Sequence, residues 1–142
     1  MSGFTYKTLL WDVETNGLLH QLDRVHCLVI REYETQREWR FRNNGVENNI
    51  EDGLRMLMDC TLNVGHNIVS FDIPAVQKVY PWFDPSGLIR DTLVMARVIF
   101  ADIKDKDFRM VKAKQMPGYM VNKHNLDAWG HRLKLYKGDY KK

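Results

Sequence analysis

The stretch LLWDVETNGLL, residues 9–19, runs from an apolar segment through two carboxylates into a polar turn. In a strand, side chains alternate between faces. Asp12 and Glu14 therefore point the same way, together with Leu10, while Leu9, Trp11 and Val13 take the other face. Two carboxylates on one face raise each other's cost of charging. A buried strand that ends in such a pair usually faces a site. Residues 7–13 read as the central strand of a sheet.

Working outward, VHCLVIREY (25–33) and REWRFR (37–42) read as the next two strands, joined by a polar turn at 34–36. The second places Trp39 and Phe41 on one face and Arg40 and Arg42 on the other. Short connections make the three an antiparallel meander. NIEDGLRMLMDC sets Ile50, Leu54, Leu57 and Met58 at helical spacing, and its methionines suit core filling. TLNVGHN reads as a short strand ending at Gly65. DIPAVQKVY reads as a helix with Pro74 in its first turn, where proline is tolerated. Pro81 and Pro85 break the chain. GLIRDT reads as a fifth strand, and TLVMARVIFADI as a helix capped by Asp91 or Thr92. Residues 103–123 read as irregular and basic. HNLDAWGHRLKLY reads as a last helix with Leu126, Trp129 and Leu133 on its apolar stripe. The order βββαβαβα describes a mixed sheet with helices on its faces, in one domain without repeats.

At 142 residues, with 44% hydrophobic and 27% charged side chains, the chain is one globular domain or part of one. No apolar run approaches a membrane span, and MSGFTYK lacks the apolar core of a signal peptide. Cys27 and Cys60 lie in apolar surroundings and read as reduced, buried thiols of a cytoplasmic protein. The net charge of +3 is unevenly spread: residues 104–142 hold eleven basic and four acidic side chains, the remainder ten and fourteen. A basic C-terminal third suggests a polyanion partner, although a solvated lysine-rich surface also accounts for the charge. His20, His26, His66, His124 and His131 have no ligand spacing, and there is no glycine-rich phosphate loop.

A second carboxylate signal is VGHNIVSFDIPAV, where Asp72 stands at a strand-to-helix transition, directly after Phe71 and five residues after Asn67. Taken alone, Asp72 suits a helix N-cap, and Asp12 and Glu14 suit the edge of a turn. Together the three form a set of hard oxygen ligands for Mg²⁺ or Mn²⁺. Two such ions about 4 Å apart activate water and stabilise the leaving oxygen of a phosphodiester. They also offset the clustered negative charge.

WDVETNGLL resembles the first motif (Asp-x-Glu) of the DEDD 3′–5′ exonucleases. HNIVSFD resembles the second, with its Asn and its aromatic–Asp pair. RDTLVMARVIFADIKDKD, MPGY and HNLDAWGHRLKLYKGDY extend the similarity, in order and along essentially the whole chain. They resemble the proofreading domain of the family A (Pol I-like) DNA polymerases of short-tailed lytic bacteriophages. The resemblance implies an α/β, ribonuclease H-like mixed sheet of three antiparallel plus two parallel strands, flanked by helices and lacking the last helix of the family. It implies that Asp12, Glu14 and Asp72 are the catalytic metal ligands of a two-ion site. Thr15, Leu18, Asn67 and Phe71 match positions that hold the 3′-terminal nucleotide, Leu18 as a wedge against the last base. Asp91 reads as a structural helix cap. The implied substrate is the 3′ end of single-stranded DNA, and the implied location is the cytoplasm of an infected bacterial host. The basic third offers Lys112, Lys114 and Lys123, with Lys134 after them, as phosphate contacts.

One departure stands out. The family carries a fourth carboxylate, in a Tyr-x-x-x-Asp or His-x-x-x-x-Asp motif on a further helix. Here Asp139 follows Tyr136 at a spacing of three, and YKGDY matches a family segment upstream of that motif. The first expectation is thus a metal-dependent 3′–5′ exonuclease portion of a phage DNA polymerase. Its site would be completed by the rest of the polymerase as a second chain, with one metal position weak and little activity alone. The alternative is a non-catalytic module that binds DNA 3′ ends or a polymerase partner. A shortened or degraded gene is the third reading, against which the three retained carboxylates argue.

Overall fold

The computed structural model describes residues 3–43 and 48–136. Five strands form one sheet: β1 (Tyr6–Thr15), β2 (Val25–Glu32), β3 (Glu38–Arg42), β4 (Cys60–Gly65) and β5 (Leu88–Asp91). Their order is β3-β2-β1-β4-β5. β1–β2 and β2–β3 pair antiparallel, and β1–β4 and β4–β5 pair parallel. This is the ribonuclease H-like sheet, with β1 at its centre. Helix α1 (Ile50–Met58) crosses from β3 to β4. A π-helical turn (Ile68–Asp72) runs into α2 (Ile73–Val79), which leads towards β5.

The alternation in β1 decides which face is core. Leu9, Trp11 and Val13 are buried, and they meet Leu28 and Ile30 of β2, Phe41 of β3, Ile50, Leu54 and Leu57 of α1, and Ile68 and Val76. Trp11 packs edge-on against Phe83, with ring centroids 6.1 Å apart. The inward stripe of α1 is Ile50, Gly53, Leu54 and Leu57, an i, i+3, i+4, i+7 pattern. Gly53 lets the helix lie flush on the sheet: a Cβ there would sit 2.7 Å from both Leu28 and Phe41 side-chain carbons. The opposite face of β1 carries Leu10, Asp12 and Glu14, aligned with Arg31, Val29 and Cys27 of β2. Cys27 is half-buried and Cys60 buried, and both are free thiols.

The chain divides into two compact units between Thr92 and Leu93. The second unit holds most of α3 (Thr92–Ile99), then α4 (Lys104–Lys112), a 3₁₀ turn (Gly118–Met120) and α5 (Leu126–Leu133). Two expectations fail here. The segment 103–123 is not irregular, since α4 and the 3₁₀ turn occupy much of it. Ile103, just before α4, and Asp107 and Met110 within it face inward at i, i+4 and i+7, and the central one is a charged residue. Asp107 is fully buried because Arg132 meets it with two bonds, Nε to Oδ1 at 2.8 Å and Nη2 to Oδ2 at 2.6 Å. The Asn122 amide donates a third bond to it at 2.9 Å.

The stripe of α5 is also turned. Ala128, Gly130 and Arg132 face inward, while Leu126 and Leu133 are exposed. Arg132, buried with Asp107 and stacked over Trp129 at 4.7 Å, takes the place a leucine was expected to hold. Met110, Met116, Met120 and Ala128 make the unit's small core. Val94, Met95, Val98, Ile99 and Phe100 of the α3 region are exposed. No helix among the described residues is long and apolar enough to cross a membrane.

Candidate carboxylate site

The site begins where the sheet runs out. β4 pairs with β1 only from Tyr6 to Leu10, the last partner being Val64. The final residues of β1 therefore have no strand on that side, and a buried amide there needs another acceptor. Asp72 supplies it: the Val13 N–H donates to Asp72 Oδ1 at 3.2 Å, across 59 residues of sequence. The bland alternative for Asp72 fails on the same geometry. Its backbone is already helical (φ −62°, ψ −47°), and its side chain caps no helix.

Local structure explains how Asp72 arrives. Gly65 ends β4, and a Cβ there would overlap Ile68 and press on the Trp11 carbonyl, so only glycine permits the tight turn. Asn67 takes a left-handed conformation with φ 65°. The π-helical turn then carries Ile68 into the core and Asp72 to the end of β1. Such turns occur often at functional positions. Asp91, expected as a cap of the helix that follows it, reaches this turn. Its carboxylate accepts the Asn67 N–H at 2.9 Å and the Val69 N–H at 3.1 Å.

Asp72 is 3% exposed. Burial raises its carboxyl, the Val13 N–H opposes that, and the neighbouring Asp12 charge raises it again. The net result is a group pushed up to about 7. Asp12 and Asp72 thus meet at the end of β1. Asp12 is exposed, as is Glu14, which stands one pleat further along the same face, about 6.6 Å on by strand geometry. The register with β2 shifts immediately after it. Among the described residues, no three His, Cys, Asp or Glu side chains form a ready-made metal cluster. The residues fit a divalent cation in part. A buried carboxylate with an acidic neighbour favours a cation, and Glu14 lies on the correct face without closing a three-ligand group.

The other expected residues fall into place around or apart from this pair. Thr15 Oγ1 donates to the Gly17 carbonyl at 2.9 Å and shapes the turn after β1. Leu18 is 63% exposed, free to meet a ligand. Phe71 is half-buried beside Asp72. Sequence reasoning missed the ties that hold this loop. Asn16 Oδ1 accepts the N–H groups of Asp23 and Arg24, and Lys78 of α2 donates Nζ to the Leu19 carbonyl at 3.0 Å. An Asn at the first turn position after a strand was the available signal. Lys112, Lys114 and Lys123 are exposed in the second unit. Asp139 lies outside the described residues.

No protein-family model matches the chain. It is 32% identical over 136 residues to the DNA-directed DNA polymerase of Escherichia phage T7, covering 92% of this chain and 19% of that protein. It is 31% identical over 139 residues to the DNA-directed DNA polymerase of Enterobacteria phage T3, covering 94% of this chain and 20% of that protein. The chain thus spans about a fifth of the length of the curated relatives it matches. Among solved structures, the family B DNA polymerase of the archaeon Pyrobaculum calidifontis aligns with 90% of this chain and 22% of its own. The TM-score is 0.49 and the identity 16%.

Proposed function

We propose that this chain is the 3′–5′ exonuclease portion of a phage-type DNA polymerase, acting on the 3′ end of single-stranded DNA in the bacterial cytoplasm. The observation that carries the reading is the buried Asp72 carboxyl, brought beside Asp12 where β1 outruns β4. Similarity to the T7 and T3 polymerases, which covers nearly all of this chain, supports it.

Asp12, Glu14 and Asp72 would hold Mg²⁺ or Mn²⁺. Such ions activate water and stabilise charge on a leaving oxygen, which releases 5′-monophosphates from a 3′ end. The protein's own residues do the positioning. The Val13 amide fixes one oxygen of Asp72. The loop of Thr15 and Leu18, tied to α2 through Lys78, offers an exposed apolar side chain to the terminal base. Asn67 and Phe71 flank Asp72 along the chain and would line the same pocket. A further ligand would come from the remaining part of the polymerase, as a second chain. The lack of a three-ligand group among the described residues also favours a second reading, a non-catalytic module that binds DNA 3′ ends or a polymerase partner.

The test is cleavage of a 3′-labelled single strand in Mg²⁺. It is run with the chain alone and with a polymerase fragment carrying the Tyr-x-x-x-Asp helix. Weak cleavage alone, raised by the fragment about 10²-fold or more and abolished by Asp12→Ala, is expected. Full activity from the chain alone would place the fourth ligand within it, with Asp139 the first residue to substitute. No cleavage under either condition, with DNA binding retained, would favour the non-catalytic module.

A further inference from the structure

The second unit carries a groove that the carboxylate site does not use. It is an open groove with an accessible volume of about 490 Å³. Val111, Met116 and Pro117 give it an apolar lining, and Lys114, Gln115, His131 and Tyr136 complete it. The His131 and Tyr136 rings meet edge-on, centroids 5.2 Å apart. His131 Nδ1 lies 3.3 Å from the Gln115 carbonyl, which fixes that ring. Tyr136 is 64% exposed. An apolar slot beside an exposed aromatic ring suits an unstacked base.

One lysine lines the slot and a second lies close to it in the chain. α4 and α5 end in the same motif. After α4, the Lys114 N–H donates to the Val111 carbonyl and the Gln115 N–H to the Met110 carbonyl. After α5, the Lys134 N–H donates to the His131 carbonyl and the Leu135 N–H to the Gly130 carbonyl. The left-handed residue of this motif is usually glycine. Here it is lysine both times, with φ 57° at Lys114 and 56° at Lys134. A helix C-terminus favours a cation. That accounts for the charge but not for a Cβ in a backbone conformation that glycine adopts without penalty. Lys114 lines the groove, and Lys134 lies between its residues His131 and Tyr136 in the chain. Residues 93–136 hold nine basic and four acidic side chains, and one opposite pair, Asp107 with Arg132, is buried.

The geometry points to a single-stranded DNA site in this groove, with one unstacked base against Tyr136 and the flanking phosphates on Lys114 and Lys134. The choice of DNA as the polyanion rests on the function proposed above; the slot and its cations do not. An acidic protein would meet the lysines but leave the aromatic slot unused.

The test is fluorescence anisotropy with a labelled oligothymidylate of about 12 nucleotides, in EDTA, so that cleavage plays no part. The double variant Lys114→Gly/Lys134→Gly keeps the left-handed backbone and removes both charges. Its Tm should be equal to or above wild type, and its salt dependence of log K should flatten by about 1.4. Tyr136→Ala should bind about five-fold or more weakly with an unchanged salt slope. Heparin, a polyanion without bases, should be weakened by the lysine variant and not by Tyr136→Ala. No binding by the wild type at low salt overturns the proposal, as does wild-type affinity and slope in the double variant. Equal loss of heparin and DNA in Tyr136→Ala also overturns it. A chain inactive in cleavage that still gives the expected binding pattern would fail the carboxylate reading and leave the groove standing.

Discussion

Replacing Asp72 with Asn, in metal-free protein, should stabilise the chain increasingly as pH rises. Asp72 is 3% exposed. Burial, and after it the Asp12 charge, overcome the Val13 N–H and hold its carboxyl at about 7, against an ordinary 3.8. The folded pKa lies above the unfolded one. The stability linked to this group is therefore complete below 3.8 and is lost as pH rises through about 7. At about 1.4 kcal/mol per pH unit, the interval amounts to about 4 kcal/mol near pH 8. That is a large share of the roughly 5–15 kcal/mol that keeps a domain folded. Asn keeps an oxygen for the Val13 amide and carries no charge, so it escapes the loss. In urea unfolding with EDTA, the advantage of Asp72→Asn over wild type should grow from about 1 kcal/mol near pH 4.5 to about 4 kcal/mol near pH 8. Millimolar Mn²⁺ should then raise the wild-type Tm at the higher pH and leave the variant's unchanged. An advantage equal at both pH values, or a variant less stable than wild type near pH 8, would refute the reasoning. Asp72 would then ionise as an ordinary surface carboxylate.

Asp107→Ala leaves the Arg132 guanidinium buried and unpaired and should cost about 3–5 kcal/mol, read as a lower thermal midpoint by circular dichroism. Burial raises the Asp107 carboxyl, but its bonds to Arg132 and the Asn122 amide, with the Arg132 charge, outweigh that and hold it below 3.8. Stability from this group is thus present above 3.8 and lost as pH falls through the lower folded value, and Asp107→Asn should lose that acid sensitivity. Gly65→Ala should cost about 1–3 kcal/mol, because the new methyl overlaps Ile68. It should also weaken Mn²⁺ binding by displacing the turn that carries Asp72, which titration calorimetry would read.

The sheet was legible because its strands alternate. Leu9, Trp11 and Val13 against Leu10, Asp12 and Glu14 gave both the core face and the shared side of two carboxylates. Trp39 and Phe41 gave the same for β3. The bond from Val13 to Asp72 was not legible, since it depends on β4 stopping at Gly65 while β1 continues. The second unit was misread where charge replaced apolar residues inside. Asp107 at the centre of the inward face of α4 hid a helix. Arg132 on the inward face of α5 made the exposed Leu126 and Leu133 look like its core side. A buried ion pair defeats hydrophobic periodicity because its partners are far apart in sequence.

At two positions between Gly65 and Asp72 the π-helical turn makes the count of residues matter more than their identity. Val69 and Ser70 face solvent, so many side chains should serve there. Removing either one shortens the segment by one helical step, which rotates Asp72 by roughly a quarter turn about the helix axis, away from the Val13 amide. The position of this carboxylate is therefore encoded as a length. Substitution can wander at Val69 and Ser70, whereas a single codon deletion there, harmless in most surface loops, would dismantle the acidic pair without altering any of its members.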